Sequence, residues 1–262
     1  MDNADYFKLT KQPLVFVLAE FRFPVIVQMN QYLPEVQEKL RQKLPFYEEQ
    51  QAQEVQLNQD GIEIKSSPQW AFIDKSRTKS VLLSPSRIVF STSAYDRFEG
   101  FEEFCLDVLD TLREVVKPSF IQRIGLRYAD LIVPENRELS VSAYVKPGFY
   151  ENIDFSEIGS LGRKVNEFLL ETEEGTMVIR TMYGHHDLSV FQDIHLPIKL
   201  STRDVASERI LLDFDHIWEA HAEDEFLSFD RALISEKLHK MHYLSRKAFW
   251  SSVTEEGIET WR

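Results

Sequence analysis

The hydrophobic rhythm of the chain runs through one order twice: strand, helix, several strands, helix. The first pass opens on the alternating run Pro13-Leu14-Val15-Phe16-Val17-Leu18-Ala19-Glu20-Phe21-Arg22-Phe23. It closes with a helix over 101–116, whose Phe101, Phe104, Cys105, Val108, Leu109 and Leu112 recur at the spacing of a wide apolar face before Pro118 stops it. The second pass opens on Ile121-Gln122-Arg123-Ile124-Gly125-Leu126-Arg127-Tyr128 and closes with a helix over 228–251. That order predicts an α+β protein of two similar halves, 1–118 and 119–262, packed as one composite unit. Each half is expected to be a mostly antiparallel sheet with helices on one face, and the two opening strands are expected to lie centrally.

Within the opening strand, Val15, Val17, Ala19, Phe21 and Phe23 are expected to share one face. A helix is predicted near 30–44, followed by strands at 55–65, 69–74, 80–83 and 87–93. Residues 134–162 read as an irregular connection. Strands follow at 164–172, 176–183, 188–195 and 208–218, with Glu173-Glu174-Gly175 as a hairpin turn and Gly184 at a second bend. Thr254 before Glu255 and Glu256 reads as the N-cap of a short final helix.

Pro13-Leu14 leading into Ala19-Glu20-Phe21-Arg22-Phe23, the central Gly125-Leu126-Arg127-Tyr128, and the ending with Leu238-His239, Phe249-Trp250, Thr254 and Trp261 give the chain a family likeness. In these it resembles an uncharacterised, sporadically distributed family of prokaryotic proteins of similar length. The resemblance spans nearly the whole chain and implies a single unit from end to end. It implies no activity and no catalytic residue.

No phosphate loop, nucleophile elbow, zinc signature or dinucleotide fingerprint occurs, so no cofactor is expected. With 30 Lys and Arg against 43 Asp and Glu, the formal charge is −13. Such a surface repels nucleic acid and anionic lipid and can steer a basic partner. The beginning of the chain lacks the basic and apolar parts of a signal peptide, and no apolar run is long enough to span a bilayer. A cytoplasmic protein without membrane contact is the expectation, and Cys105 is expected to be a small buried hydrophobe.

Three constellations can carry chemistry. Glu20, Arg22, Arg123, Arg127 and Asp130 lie on the two opening strands, where the arginines Arg22, Arg123 and Arg127 form either an ionic network or a pocket for a carboxylate or phosphate. His185, His186 and His195 around Asp187 are borderline ligands for zinc or iron. Adjacent His185 and His186 point to opposite faces of an extended chain, however, so a turn is the simpler account and no metal is assigned. Asp213, Asp215 and His216 open an acidic stretch to Glu225, which the basic run of Lys237, Lys240, Arg246 and Lys247 is expected to attract within the molecule.

The function these readings favour is a non-enzymatic protein-interaction module, such as an antitoxin or a component of a defence locus. Its partner would be a protein, basic in character, and self-association is the other arrangement considered. The alternative is a hydrolase or transferase with an anion or metal site between the halves.

Overall fold

Strand β1 (Leu14–Arg22) is the hub on which the sheet is built. It pairs antiparallel with β5 (Arg87–Thr92) on one side and with β6 (Arg123–Ile132) on the other. The computed structural model describes residues 7–58, 61–135, 138–151, 156–185, 196–200, 207–222 and 225–262, with side chains described outside 52–65. Beyond β5 lie β4 (Lys79–Leu83), β3 (Gly61–Ile73) and β2 (Phe46–Asn58). Beyond β6 lie β9 (Glu208–Glu219), β8 (Gly175–His185) and β7 (Arg163–Thr172). The nine strands form one antiparallel sheet in the order β2-β3-β4-β5-β1-β6-β9-β8-β7.

The strands opening at Leu14 and Arg123 are therefore direct neighbours at the centre, as the sequence led us to expect. The register between them slips at Val15: Leu14 stands opposite Asp130, and Phe16 opposite Ala129. A β-bulge of this kind turns the flanking side chains to new faces. Val17, Ala19, Phe21 and Phe23 pack in the large core as expected, but Val15 joins Phe16, Ala129, Leu131 and Ile198 in a separate cluster. An unbroken alternation cannot register that extra residue.

The large core unites Phe21, Phe90, Leu126 and Phe214 of the sheet with helical side chains. These come from α1 (Leu33–Leu40), α2 (Phe98–Val115) and α3 (Arg231–Ser252), for example Val36, Leu109 and Leu238. Full burial of each such side chain stabilises by about 1.5–3 kcal/mol. Cys105 is wholly buried among them, and that burial pushes its thiol up. Helix α2 ends where Lys117 takes φ +58° just before Pro118. Asp230 caps α3 by accepting from the Ala232 and Leu233 amides.

The hairpin at Glu173-Glu174 is present: Thr172 pairs with Gly175, whose φ is +105°. A Cβ there would lie 2.2 Å from the Ile217 carbonyl oxygen, so only glycine fits. Two expectations need correction. The strand placed at 55–65 covers the end of β2 and the start of β3, because β2 runs on to Asn58 and β3 begins at Gly61. Gly184 is not at a bend; it pairs inside β8 with Arg163 and Arg209. The strand expected at 188–195 lies mostly outside the described residues. No helix is long and apolar enough to cross a membrane, among the described residues.

Candidate functional site: a cavity at the β1–β6 seam

Period-two alternation puts Tyr128 and Asp130 of β6 on the face that carries the helices' core. The bulge at Val15 turns Leu14 to the same side, opposite Asp130. Helix α3 crosses above, and its His242, Ser245, Arg246 and Phe249 recur at the spacing of one helix face. The first turn of α2, the segment before it, and residues 7–12 complete the walls. Between these elements lies a cavity of about 290 Å³. Phe7, Tyr95, Phe98, Phe214, Phe249 and Trp250 give it aromatic walls, and Lys8, Asp96, Arg97, Glu99, Asp130 and Arg246 bring charge to the same lining.

Asp130 is 5% exposed, and among the described residues nothing donates a hydrogen bond to its carboxyl. Burial, with a smaller contribution from the nearby Asp213 carboxylate, pushes the Asp130 carboxyl up to about 8. His242 stacks on Phe98, the rings 4.0 Å apart and nearly parallel, and its Nδ1 lies 2.8 Å from the Tyr128 hydroxyl. Burial holds the His242 imidazole down to about 3, with the Arg246 and His239 charges acting in the same direction. The ring is therefore neutral at ordinary pH. Burial also pushes both the Tyr95 and Tyr128 hydroxyls up, so they too stay protonated. At the mouth, Lys8 pairs with Asp96, and the Gln12 amide donates to the Tyr95 carbonyl at 2.9 Å. Polar groups gathered in a cavity with aromatic walls, Asp130, His242, Tyr95 and Tyr128 among them with displaced protonation equilibria, are the usual marks of a binding site.

The arginines singled out from the sequence lie on the opposite face. Arg22, Arg123 and Arg127 do share that face of β1 and β6, with Arg22 directly opposite Arg123. Arg127 is committed: its Nε and Nη2 each donate to the Asp213 carboxylate at 2.7 Å, both side chains being under one-tenth exposed. Arg22 pairs with Glu20 at 2.7 Å. Asp130, grouped with these residues from the sequence, is separated from them because its parity on β6 is even where theirs is odd.

His185 stands exposed at the end of β8 opposite Glu208, while His186 and His195 lie outside the described residues. Among the described residues no three His, Cys, Asp or Glu side chains gather as a metal-binding group. The basic helix finds partners other than the acidic stretch it was matched to. Lys237 meets Glu174 at 2.6 Å, Lys240 meets Glu236 at 2.8 Å and His239 meets Glu102 at 3.1 Å. Asp213 faces Arg127 and Arg180 instead.

The cavity was missed because its parts come from distant stretches of chain. Two signals were present: the shared parity of Tyr128 and Asp130, and the helical spacing of His242, Arg246 and Phe249. No family model matches the chain, and no curated protein matches it.

Proposed function

We propose that the chain is a non-enzymatic recognition module that binds through the cavity at the β1–β6 seam. What enters is a cationic or N–H-donating group of a basic protein partner. The observation that carries this reading is Asp130, a buried carboxyl with no donor among the described residues, set in an aromatic cavity of about 290 Å³. Asp130 lines the cavity, and a ligand that brings a donor to its carboxyl gains a charge-assisted hydrogen bond shielded from bulk water. Aromatic faces around it favour a cation. The charge of −13 speeds the approach of a basic partner and fits a cytoplasmic binding protein, antitoxin-like in character.

In this reading the body is two related halves, 1–118 and 119–262. From the seam, β1, β5, β4, β3 and β2 run outward on one side, and β6, β9, β8 and β7 on the other. Each half is thus an inner strand with a meander returning to it, and helices laid across one face. The cavity sits where the two inner strands meet.

Benzylamine, a cation on an aromatic body, tests the site in the full chain. It is expected to raise the melting temperature, more at about pH 8.5 than near pH 6, because an ionised Asp130 receives it better. Asp130→Asn is expected to abolish the shift. No shift in the parent protein, or an equal one in the variant, overturns the proposal.

A second reading, a hydrolase or transferase with its site between the halves, is favoured by one observation. A carboxyl near 8 exchanges protons readily at neutral pH. Turnover of chromogenic carboxylic or phosphoric esters, lost in Asp130→Asn, would establish that reading over the first.

A further inference from the structure

The sheet ends on one side at β7, whose outer edge has no strand beside it among the described residues. It pairs with β8 over all ten of its residues, from Arg163 opposite Gly184 to Thr172 opposite Gly175, without a bulge. An edge strand of this length offers a row of backbone N–H and C=O groups to any second strand. Folded proteins usually blunt such an edge with a proline, a bulge or central charges. Here the middle of the strand reads Val165-Asn166-Glu167-Phe168-Leu169-Leu170, with no proline and one charge. That one charge is already matched, since Glu167 accepts from the Arg180 Nε at 2.8 Å.

The side chains of this strand are exposed as well as its edge. Val165 is 55% and Leu169 63% exposed on one face, and Phe168 and Leu170 are exposed on the other. Just before the strand, Ile158 and Leu161 are exposed too. Apolar side chains gathered in one stretch of surface mark an interaction site, where single scattered ones do not. The charges at the two ends then limit what can pair there. The strand starts with Arg163 and Lys164 and ends with Glu171, followed by Glu173 in the turn. An evenly basic strand is repelled at the start, and an evenly acidic one at the end. A fitting strand is acidic where β7 is basic, basic where it is acidic, and apolar between. A second β7 run antiparallel has that pattern.

We infer that β7 is a self-association edge, at which two copies of the chain pair antiparallel about a two-fold axis and continue one sheet into the next. With the axis at Glu167, Arg163 of each copy stands opposite the partner's Glu171, and Val165 opposite the partner's Leu169. On the other face Phe168 falls opposite the partner's Asn166, and Leu170 opposite the partner's Lys164, whose aliphatic stem covers it. The two Glu167 carboxylates meet at the axis, each held by the Arg180 of its own chain. The edge lies three strands out from β6, so the pairing does not involve the cavity at the β1–β6 seam.

Sedimentation equilibrium of the full chain tests the pairing. The parent is expected to show twice the mass of one chain at roughly 100 μM and to dissociate on dilution. Leu169→Lys puts a charge at an exposed position, so each copy is expected to fold as before, which circular dichroism checks. The same change is expected to raise the dissociation constant by roughly tenfold or more, because it enters the interface twice. Arg163→Glu and Glu171→Arg are each expected to weaken association several-fold, and the two together to restore it. Hydrogen exchange gives a second readout: the β7 amides are expected to exchange more slowly in the concentrated protein than in the dilute. A parent that stays monomeric leaves the edge to a different chain and overturns the assignment. A dimer whose affinity Leu169→Lys leaves unchanged, or a charge swap that restores nothing, overturns it equally.

Discussion

Asp130 and His242 line one cavity and are displaced in opposite directions, which gives the molecule a particular pH response. Folding raises the Asp130 carboxyl to about 8, so between about pH 4 and 8 the native state holds a proton that the unfolded chain has lost. This contribution to stability falls as pH rises through that window. Folding lowers the His242 imidazole to about 3, so between about pH 3 and 6.5 the unfolded chain binds a proton that the native state refuses. That contribution falls as pH drops. The two oppose each other between about pH 4 and 6.5, each at up to about 1.4 kcal/mol per pH unit, and largely cancel. Urea melts across pH are expected to show acid sensitivity setting in below about pH 6.5 in Asp130→Asn. In His242→Gln, stability is expected to decline already from about pH 4 upward. Parallel profiles in parent and variants would refute this account.

The Arg127–Asp213 pair obeys a different rule at the same scale. Arg127→Leu leaves Asp213 buried beside fewer cations and is expected to cost about 3–5 kcal/mol in denaturant melts. The double change Arg127→Leu with Asp213→Leu is expected to recover most of that. Arg127 was legible as a central-strand arginine, but its partner was not. Which acid of β9 faces it depends on a register no local pattern encodes.

Among the elements, legibility followed how local the cause was. Helix α2 was readable because its apolar face and Pro118 lie within one stretch, and the Glu173-Glu174 turn because only Gly175 can hold its backbone. The cap of α4 (Glu255–Trp261) was equally local: Thr254 accepts from the Gly257 amide at 3.0 Å. Thr254 also donates to the Ala143 carbonyl at 2.5 Å, and a Cβ on Gly257 would approach the Tyr144 carbonyl oxygen to 2.7 Å. These tertiary contacts were not legible, since residues 134–162 carry no periodic pattern. Thr254→Ala is therefore expected to cost about 1–2 kcal/mol, the upper part of the range for a lost cap. A cost near zero in thermal melts would show that the final helix docks without this residue. The bulge at Val15 belongs with the unreadable features, because its cause is the pairing of β1 with β6 and not the β1 sequence alone.

At the scale of the whole molecule, one sheet and one large core run through both proposed halves. Phe21 and Leu109 of the first half share that core with Leu126, Phe214 and Leu238 of the second. The end of the chain returns to its beginning, the Lys11 amide donating to the Trp261 carbonyl at 3.0 Å. Fragments 1–118 and 119–262 are thus expected to remain unfolded when made separately and to assemble in equal numbers when made together. Circular dichroism and size-exclusion chromatography read both outcomes, and an independently folded fragment would show that the seam is a domain boundary. The central adjacency of the opening strands was legible from their matching positions in a repeated order. The cavity beside them was not, because it needs α3 and residues 7–12 brought over the seam from the two ends of the chain. The most direct test of that cavity as a recognition site is a carbon-13 NMR titration of the Asp130 carboxyl. In the free protein its midpoint is expected near 8, and saturating benzylamine is expected to lower it by about one unit or more. A midpoint in the ordinary carboxylate range, or one that bound amine leaves unmoved, would contradict the account.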